Sequence, residues 1–199
     1  DSVGLGDISG FAKYRVSGGR AADWLDRILA CKMPPVGRMV LAPMLKYDGK
    51  IIGDFSLARL ANDQFLIIGS GVAESYHMRW FLSHAVGVDD LKIHPLGLDL
   101  VGLTLAGPKS RAVLQSCTHT DISHDNMRFM AIKKMDIGMV PAIVGRVSYT
   151  GDLGYEIWVA PANLNNLFDH LMTAGAAHNI RLFGSRALNA LRLEKNYGS

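Results

Sequence analysis

Residues 39–45, 51–60 and 64–68 constrain the fold most. Each is a run of mainly apolar residues, and the connectors are short and turn-forming. Tyr47-Asp48-Gly49-Lys50 is a strong hairpin signal, because Asp-Gly supplies the positive φ of a tight turn. Ala61-Asn62-Asp63 turns the chain again. The reading is a three-stranded antiparallel meander, so an all-helical chain is excluded. Strict alternation over 51–60 puts Ile52, Asp54, Ser56 and Ala58 on one face. It puts Ile51, Phe55 and Leu57 on the other.

Helical periodicity interrupts the strands. Ala21, Trp24, Leu25, Ile28 and Leu29 share one helix face, and Pro34-Pro35 ends that region. A helix over 71–85 groups Tyr76, His77, Trp80, Phe81 and His84. Gly107-Pro108 opens a short helix through Ser116, the proline suiting a first turn. Leu164, Leu167, Phe168, Leu171 and Met172 predict another helix, and a last one covers about 185–195. Residues 3–16 read as extended, punctuated by Gly6 and Gly10. Strands are expected over 99–106, 132–137, 140–149 and 155–160, and a polar loop over 118–129. The fold class is α+β, mainly antiparallel sheets with helices packed on them. No repeat or linker divides the 199 residues, so a single domain over 1–199 is expected, cut at both ends from a longer protein.

Composition removes several function classes. Lys+Arg 21 against Asp+Glu 18 is too small an excess for a nucleic-acid surface. Cys31 and Cys117 are far apart and outside any CxxC spacing, which disfavours a disulfide framework or a thiolate zinc site. Two lone thiols suit a reducing compartment, a bacterial cytoplasm or a mitochondrial matrix. The apolar runs are shorter than the roughly 20 residues of a bilayer span, and no signal peptide is visible. Neither a nucleic-acid nor a membrane partner is expected.

Two segments hold candidate chemistry. Asp is depleted from strands, so Asp54 two residues from the Ser56 hydroxyl is a candidate polar site. A buried face would raise the Asp54 pKa and suit proton exchange near neutrality. A half-exposed face with solvated side chains fits the same pattern. The second segment runs from Tyr149 through Thr150-Gly151-Asp152-Leu153-Gly154 to Tyr155-Glu156. Tyr149 and Glu156 flank the turn and are expected to be cross-strand neighbours. A carboxylate there can accept two N–H bonds from a flat heterocycle. An ordinary surface hairpin is the alternative.

Other patterns point to no site. Gly4-Leu5-Gly6-Asp7-Ile8-Ser9-Gly10 lacks the strand–helix context of a dinucleotide fingerprint, and in Gly69-Ser70-Gly71 the third glycine position holds Glu74. The seven histidines contain no HExxH, and no GxSxG is present. A metal site is not expected, and neither is a catalytic cysteine.

Together these segments resemble the folate-binding domain shared by the glycine-cleavage T-protein (aminomethyltransferase) and the C-terminal half of dimethylglycine and sarcosine dehydrogenases. The resemblance covers Val3 to Tyr197. It is carried by Asp7-Ile8-Ser9, by Asp48-Gly49-Lys50-Ile51-Ile52-Gly53-Asp54-Phe55-Ser56, by the run from Ser148 to Ile157, and by Leu191-Arg192-Leu193-Glu194. The tail from Ala187 to Lys195 is more similar to the dehydrogenase branch. In the T-protein branch a folate-contacting Arg stands four residues before the Arg of the last motif; here that place holds Leu188, with Arg186 two residues away.

The resemblance implies a T-protein-like fold and a tetrahydrofolate site. It implies Asp54 as the catalytic carboxylate, positioning the folate amines and relaying a proton. Ser56 stands where the family commonly has Thr. Tyr149 and Glu156 correspond to folate contacts, Glu156 on the pterin ring, and Arg186 is a further candidate. The implied reaction is one-carbon transfer from a methylated amine, such as dimethylglycine or sarcosine, to give 5,10-methylenetetrahydrofolate. The implied partners are folate, the one-carbon donor and a covalently linked flavin domain outside these residues, which would hold any FAD. The family's segment before Val3 and its later β-rich domain are also absent. A stand-alone aminomethyltransferase acting on a lipoyl-bound group is the alternative, and a non-catalytic folate-binding module a further one. The cysteine motif of the iron–sulfur-assembly relatives is not found around Cys31 or Cys117.

Overall fold

The computed structural model describes residues 2–196; Tyr197, the far end of the resemblance, lies outside the described residues. In chain order the strands and helices are β1 (Gly4–Asp7), β2 (Ala12–Ser17), α1 (Ala21–Ile28), β3 (Met39–Leu45), β4 (Ile51–Ala61), β5 (Gln64–Gly69), α2 (Glu74–Ala85), β6 (Lys92–Pro95), β7 (Val101–Ala106), α3 (Ser110–Ser116), β8 (Ile132–Ile137), β9 (Val140–Gly145), β10 (Gly154–Val159), α4 (Leu164–Gly175), β11 (Arg181–Leu182) and α5 (Ser185–Glu194). The described residues form two compact units, one of residues 10–98 and one of residues 2–9 with 99–196. The expected α+β class is what the structure shows.

The unit of residues 10–98 is built on an antiparallel sheet of order β3-β4-β5-β2-β6. The meander occupies one side of it, as the apolar runs predict. At its first turn Gly49 has φ +81°, and the Lys46 N–H donates to the Lys50 carbonyl at 2.8 Å. One core cluster joins Tyr14, Phe55, Leu57 and Phe65 of the sheet to Trp24 and Leu25 of α1 and Phe81 of α2. The Tyr14 and Phe81 rings meet edge to face, with centroids 5.1 Å apart.

Simple alternation fails at one point. Met44 pairs with Gly53 but Leu45 pairs with Ile51, so Ile52 is an extra residue in a β-bulge. The bulge reverses parity. Ile52 is buried at 7% exposure, in the cluster with Phe55 and Leu57, and Ile51 is 67% exposed. Asp54, Ser56 and Ala58 keep the face that alternation assigns them.

The other unit is built on a sheet of order β11-β1-β7-β10-β9-β8. Its β1–β11 pair is parallel; its other pairs are antiparallel. One face buries Leu5, Leu103, Leu105, Tyr155, Ile157 and Val159 in a core shared with Val113 and Leu114 of α3 and Leu167 and Leu171 of α4. Burial of Val113 and Leu114, at about 1.5–3 kcal/mol each, is what seats a helix as short as α3.

Three expectations are corrected here. Residues 3–16 are not one extended stretch: β1 ends at Asp7, whose carboxylate accepts the Ser9 N–H at 2.8 Å and closes a turn. The proline of Gly107-Pro108 precedes the helix, which begins at Ser110. The strand expected to reach Tyr149 stops at Gly145, and residues 146–153 form a loop in which Gly151 has φ +75°. The short polar strands β6 and β11 gave no periodicity to read.

Candidate functional site

The face of the six-stranded sheet opposite its helices carries the candidate site. Gly4 and Gly6 of β1, Gly102 and Thr104 of β7, Glu156 and Trp158 of β10, and Gly145 of β9 all point to it, because period-2 alternation sends their neighbours into the core. In register, Glu156 lies between Thr104 and Gly145, and Thr104 pairs on with Gly6. Thus a glycine row floors the face around one carboxylate. Aromatic rings flank it. A Cβ on Gly6 would meet the Phe183 ring at 3.1 Å, and one on Gly102 would meet the Trp158 ring at 2.5 Å. Gly4-Leu5-Gly6, unsuited to a phosphate loop, serves here to let Phe183 lie on the strand.

Glu156 is half-buried. Burial pushes its carboxyl up to about 7, and a hydrogen bond with the Trp158 side chain pulls the other way. A carboxylate held near neutrality among glycines and aromatic rings is a costly arrangement for stability alone, and such shifted groups mark functional sites. Its two oxygens can accept a pair of N–H bonds. Thr104, Trp158 and Phe183 were not singled out in the sequence, since each reads as an ordinary strand or loop residue there.

Tyr149 and Glu156 are not cross-strand neighbours, because the loop from 146 to 153 separates β9 from β10 and places Gly145 opposite Glu156. Tyr149 is 39% exposed in that loop. The Arg192 guanidinium of α5 lies 5.7 Å from its ring centroid, and Lys195 pairs with Asp152 at 2.9 Å. Arg186 is exposed at the start of α5. The arginine that the helix brings to Tyr149 is therefore Arg192. In the signature Asp7-Ile8-Ser9, the Ser9 hydroxyl accepts the Gly102 N–H at 3.2 Å, which ties the turn after β1 to β7.

Asp54 and Ser56 belong to the other unit. Asp54 is exposed on β4 opposite Pro43, and Ser56 is half-buried between Leu41 and Ile68. The buried face that would have desolvated Asp54 is not found. Ile68 pairs on with Lys13, so a fully buried lysine shares the sheet face of Asp54 and Ser56. Behind the sheet, the Tyr14 hydroxyl and His77 Nδ1 are 3.2 Å apart, and His77 Nε2 is 3.3 Å from the Ile52 carbonyl.

Burial pushes the thiols of Cys31 and Cys117 up, which favours their protonated form. An open cleft of about 960 Å³ beside α3 and α4 is lined by Cys117, His119, Asp169 and His170 among others. Among the described residues no three His, Cys, Asp or Glu side chains converge as a metal site, and no helix is long and apolar enough to cross a membrane.

Known proteins resemble this chain in sequence and fold. Dimethylglycine dehydrogenase of Rattus norvegicus is 35% identical over 196 residues, spanning 98% of this chain and 23% of that protein. Sarcosine oxidase subunit alpha of Rhizobium meliloti is 29% identical over 205 residues, with 98% and 21% covered. Aminomethyltransferase of Bacillus subtilis is 27% identical over 195 residues, with 97% and 53% covered. The chain thus spans under a quarter of the dehydrogenase and about half of the aminomethyltransferase. The crystal structure of glycine cleavage system aminomethyltransferase T from Bartonella henselae superposes with a TM-score of 0.87 at 24% identity, over 100% of this chain and 52% of that one. The T-protein-like fold expected from the resemblance is therefore present. The sequence matches the family described as GCVT N-terminal domain over residues 1–199, and the chain belongs to that family.

Proposed function

We propose that this chain is the tetrahydrofolate-dependent one-carbon transfer part of a longer, flavin-linked enzyme that demethylates a small amine such as dimethylglycine or sarcosine. The observation that carries the reading is Glu156: a half-buried carboxylate, pushed up to about 7, on a glycine-floored face walled by Phe183 and Trp158. That donor set fits a flat, N–H-rich ring. The choice of enzyme follows the 35% identity to dimethylglycine dehydrogenase, above the 27% to aminomethyltransferase.

Tetrahydrofolate, when bound, supplies the nucleophilic amines that accept a one-carbon unit. In this reading Glu156 accepts two N–H bonds and orients the ring, which a single-oxygen acceptor could not do. Phe183 and Trp158 exclude water, and Tyr149, braced by Arg192, adds an aromatic contact. Asp54 is the carboxylate that takes up a proton from the folate amine, and the Ser56 hydroxyl assists on the same strand face. The flavin would lie in a covalently linked domain outside these residues.

Calorimetry tests the site. Tetrahydrofolate is expected to bind the full-length protein and to lose at least about tenfold in affinity on Glu156→Ala, as for a charge-assisted bidentate contact. Unchanged affinity removes Glu156 from the ring. Dependence of turnover on a lipoylated carrier, with no oxidation of free dimethylglycine or sarcosine, would favour the aminomethyltransferase reading instead.

A further inference from the structure

Residues 51–55 of β4 lie at an incomplete part of their sheet. The pairing of β4 with β5 begins at Ser56↔Ile68, so this stretch has β3 on one side and, among the described residues, no strand pairing on the other. The bulge at Ile52 falls in the same stretch. Backbone groups there need partners from outside the sheet.

Helix α2 supplies one. It starts at Glu74, shortly after β5 ends at Gly69, and it brings His77 under the stretch, 2% exposed. His77 Nε2 is 3.3 Å from the Ile52 carbonyl, and Nδ1 is 3.2 Å from the Tyr14 hydroxyl. A carbonyl only accepts, so the network assigns the ring proton to Nε2. Nδ1 is then the bare nitrogen, and the Tyr14 O–H donates to it. Burial lowers the His77 pKa and so favours this neutral form.

The following residue is packed as closely. A Cβ on Gly53 would collide with the Phe55 ring and meet His77 Nε2 at 3.0 Å. The Phe55 and His77 rings meet edge to face, with centroids 4.7 Å apart. Asp54 comes next, and its exposed side chain leaves the opposite face of the strand. The backbone under that carboxylate is therefore gripped from the core side. An apolar side chain would fill the same space without the cost of burying ring nitrogens, so what histidine adds is the bond to Ile52.

We propose that His77 is a positioning residue for Asp54: its Nε2–H, held toward the Ile52 carbonyl by Tyr14, closes the strand end that β5 leaves open and fixes the backbone that carries the Asp54 carboxylate. The proposal rests on the reading of Asp54 as the carboxylate that takes up a proton, and deepens it.

The test uses the full-length enzyme, with amine oxidation and methylenetetrahydrofolate formation followed in parallel. His77→Leu removes both ring nitrogens. Folate-coupled kcat is expected to fall about tenfold or more, since a misplacement of about 1 Å can cost about 10²-fold, while KM for tetrahydrofolate and amine oxidation hold. His77→Gln restores an N–H donor at similar reach and should recover most of the turnover. Tyr14→Phe keeps the ring packing and removes the hydroxyl that fills Nδ1. It should lower kcat in the same sense, and it decides the matter where His77→Leu does not fold. In an Asp54→Ala background His77→Leu should have no further effect, because no carboxylate is left to position. Equal turnover in His77→Leu and His77→Gln, a rise in KM with kcat unchanged, or the same loss with and without Asp54 overturns the proposal. If Asp54→Ala lowers transfer and the His77 and Tyr14 variants do not, this proposal alone fails. If Asp54→Ala leaves transfer intact, the reading of Asp54 fails and the proposal with it.

Discussion

The Phe183 ring occupies the space where a side chain on Gly4 would stand, with Cδ1 2.7 Å and Cε1 2.8 Å from the position of a Cβ. The next residue, Leu5, accepts the Phe183 N–H through its carbonyl at 3.1 Å, so ring and strand are held together from both sides. Gly4→Ala should therefore lift the ring and destabilise the chain by about 1–3 kcal/mol, the usual cost of overpacking. Denaturant unfolding measures it. Phe183→Leu in the Gly4→Ala background should restore part of the loss, and a double-mutant cycle with no coupling would show that the two do not meet.

Glu156 sets stability against function. Its folded pKa of about 7 lies above the unfolded value of 4.5. The folded state therefore holds the extra proton between those values, and stability is lost as pH rises through that window. Glu156→Gln should leave stability unchanged near pH 4 and raise it by about 1–3 kcal/mol at pH 8. Folate affinity should fall in the same variant. Equal stability differences at both pH values would contradict the buried-carboxylate account.

His77 has the opposite sign. Burial lowers its pKa, with the Ile52 carbonyl bond acting against the shift. The unfolded chain then binds the proton first, so stability declines as pH falls below about 6.5. His77→Phe should flatten the urea midpoint between pH 7 and pH 5 relative to wild type. A variant with an identical slope would place the acid sensitivity elsewhere.

Asp54 is exposed, so its removal should cost little stability. In the full-length enzyme, Asp54→Ala should lower folate-coupled product formation by about 10²-fold or more, the usual range for a general acid–base group, while amine oxidation persists. Oxidation and transfer are separated by assaying amine consumption and methylenetetrahydrofolate in parallel. Equal loss of both would end the assignment.

Arg192 and Arg186 should behave differently. Arg192 lies over the Tyr149 ring, a contact worth about 0.5–1 kcal/mol at an exposed site, so Arg192→Ala should weaken folate binding a few-fold. Arg186→Ala, at an exposed position six residues earlier, should bind as wild type. The reverse order would restore Arg186 as the folate contact.

Local chemistry was enough to read the meander, its Asp48-Gly49 turn, the faces of α1 and α4, and the grouping of Asp54 with Ser56. Each follows from the spacing of apolar residues or from the φ a turn demands, and those are properties of adjacent residues. The parity of Ile51 and Ile52 was beyond it, because the bulge depends on how β3 is paired and not on β4 alone. The sequence pattern carries a strand on to Tyr149 for a related reason: β-branched and aromatic residues continue past Gly145, and only pairing stops the strand there. Glu156 was singled out by type and by resemblance. Its surroundings came from register, which sets Gly6, Thr104 and Gly145 beside it and lays Trp158 over Gly102 from strands as far apart in sequence as residues 6 and 156. A carboxylate's identity is written in the chain, but its affinity for a proton depends on which atoms exclude water from it, and those are assembled only when the strands pair.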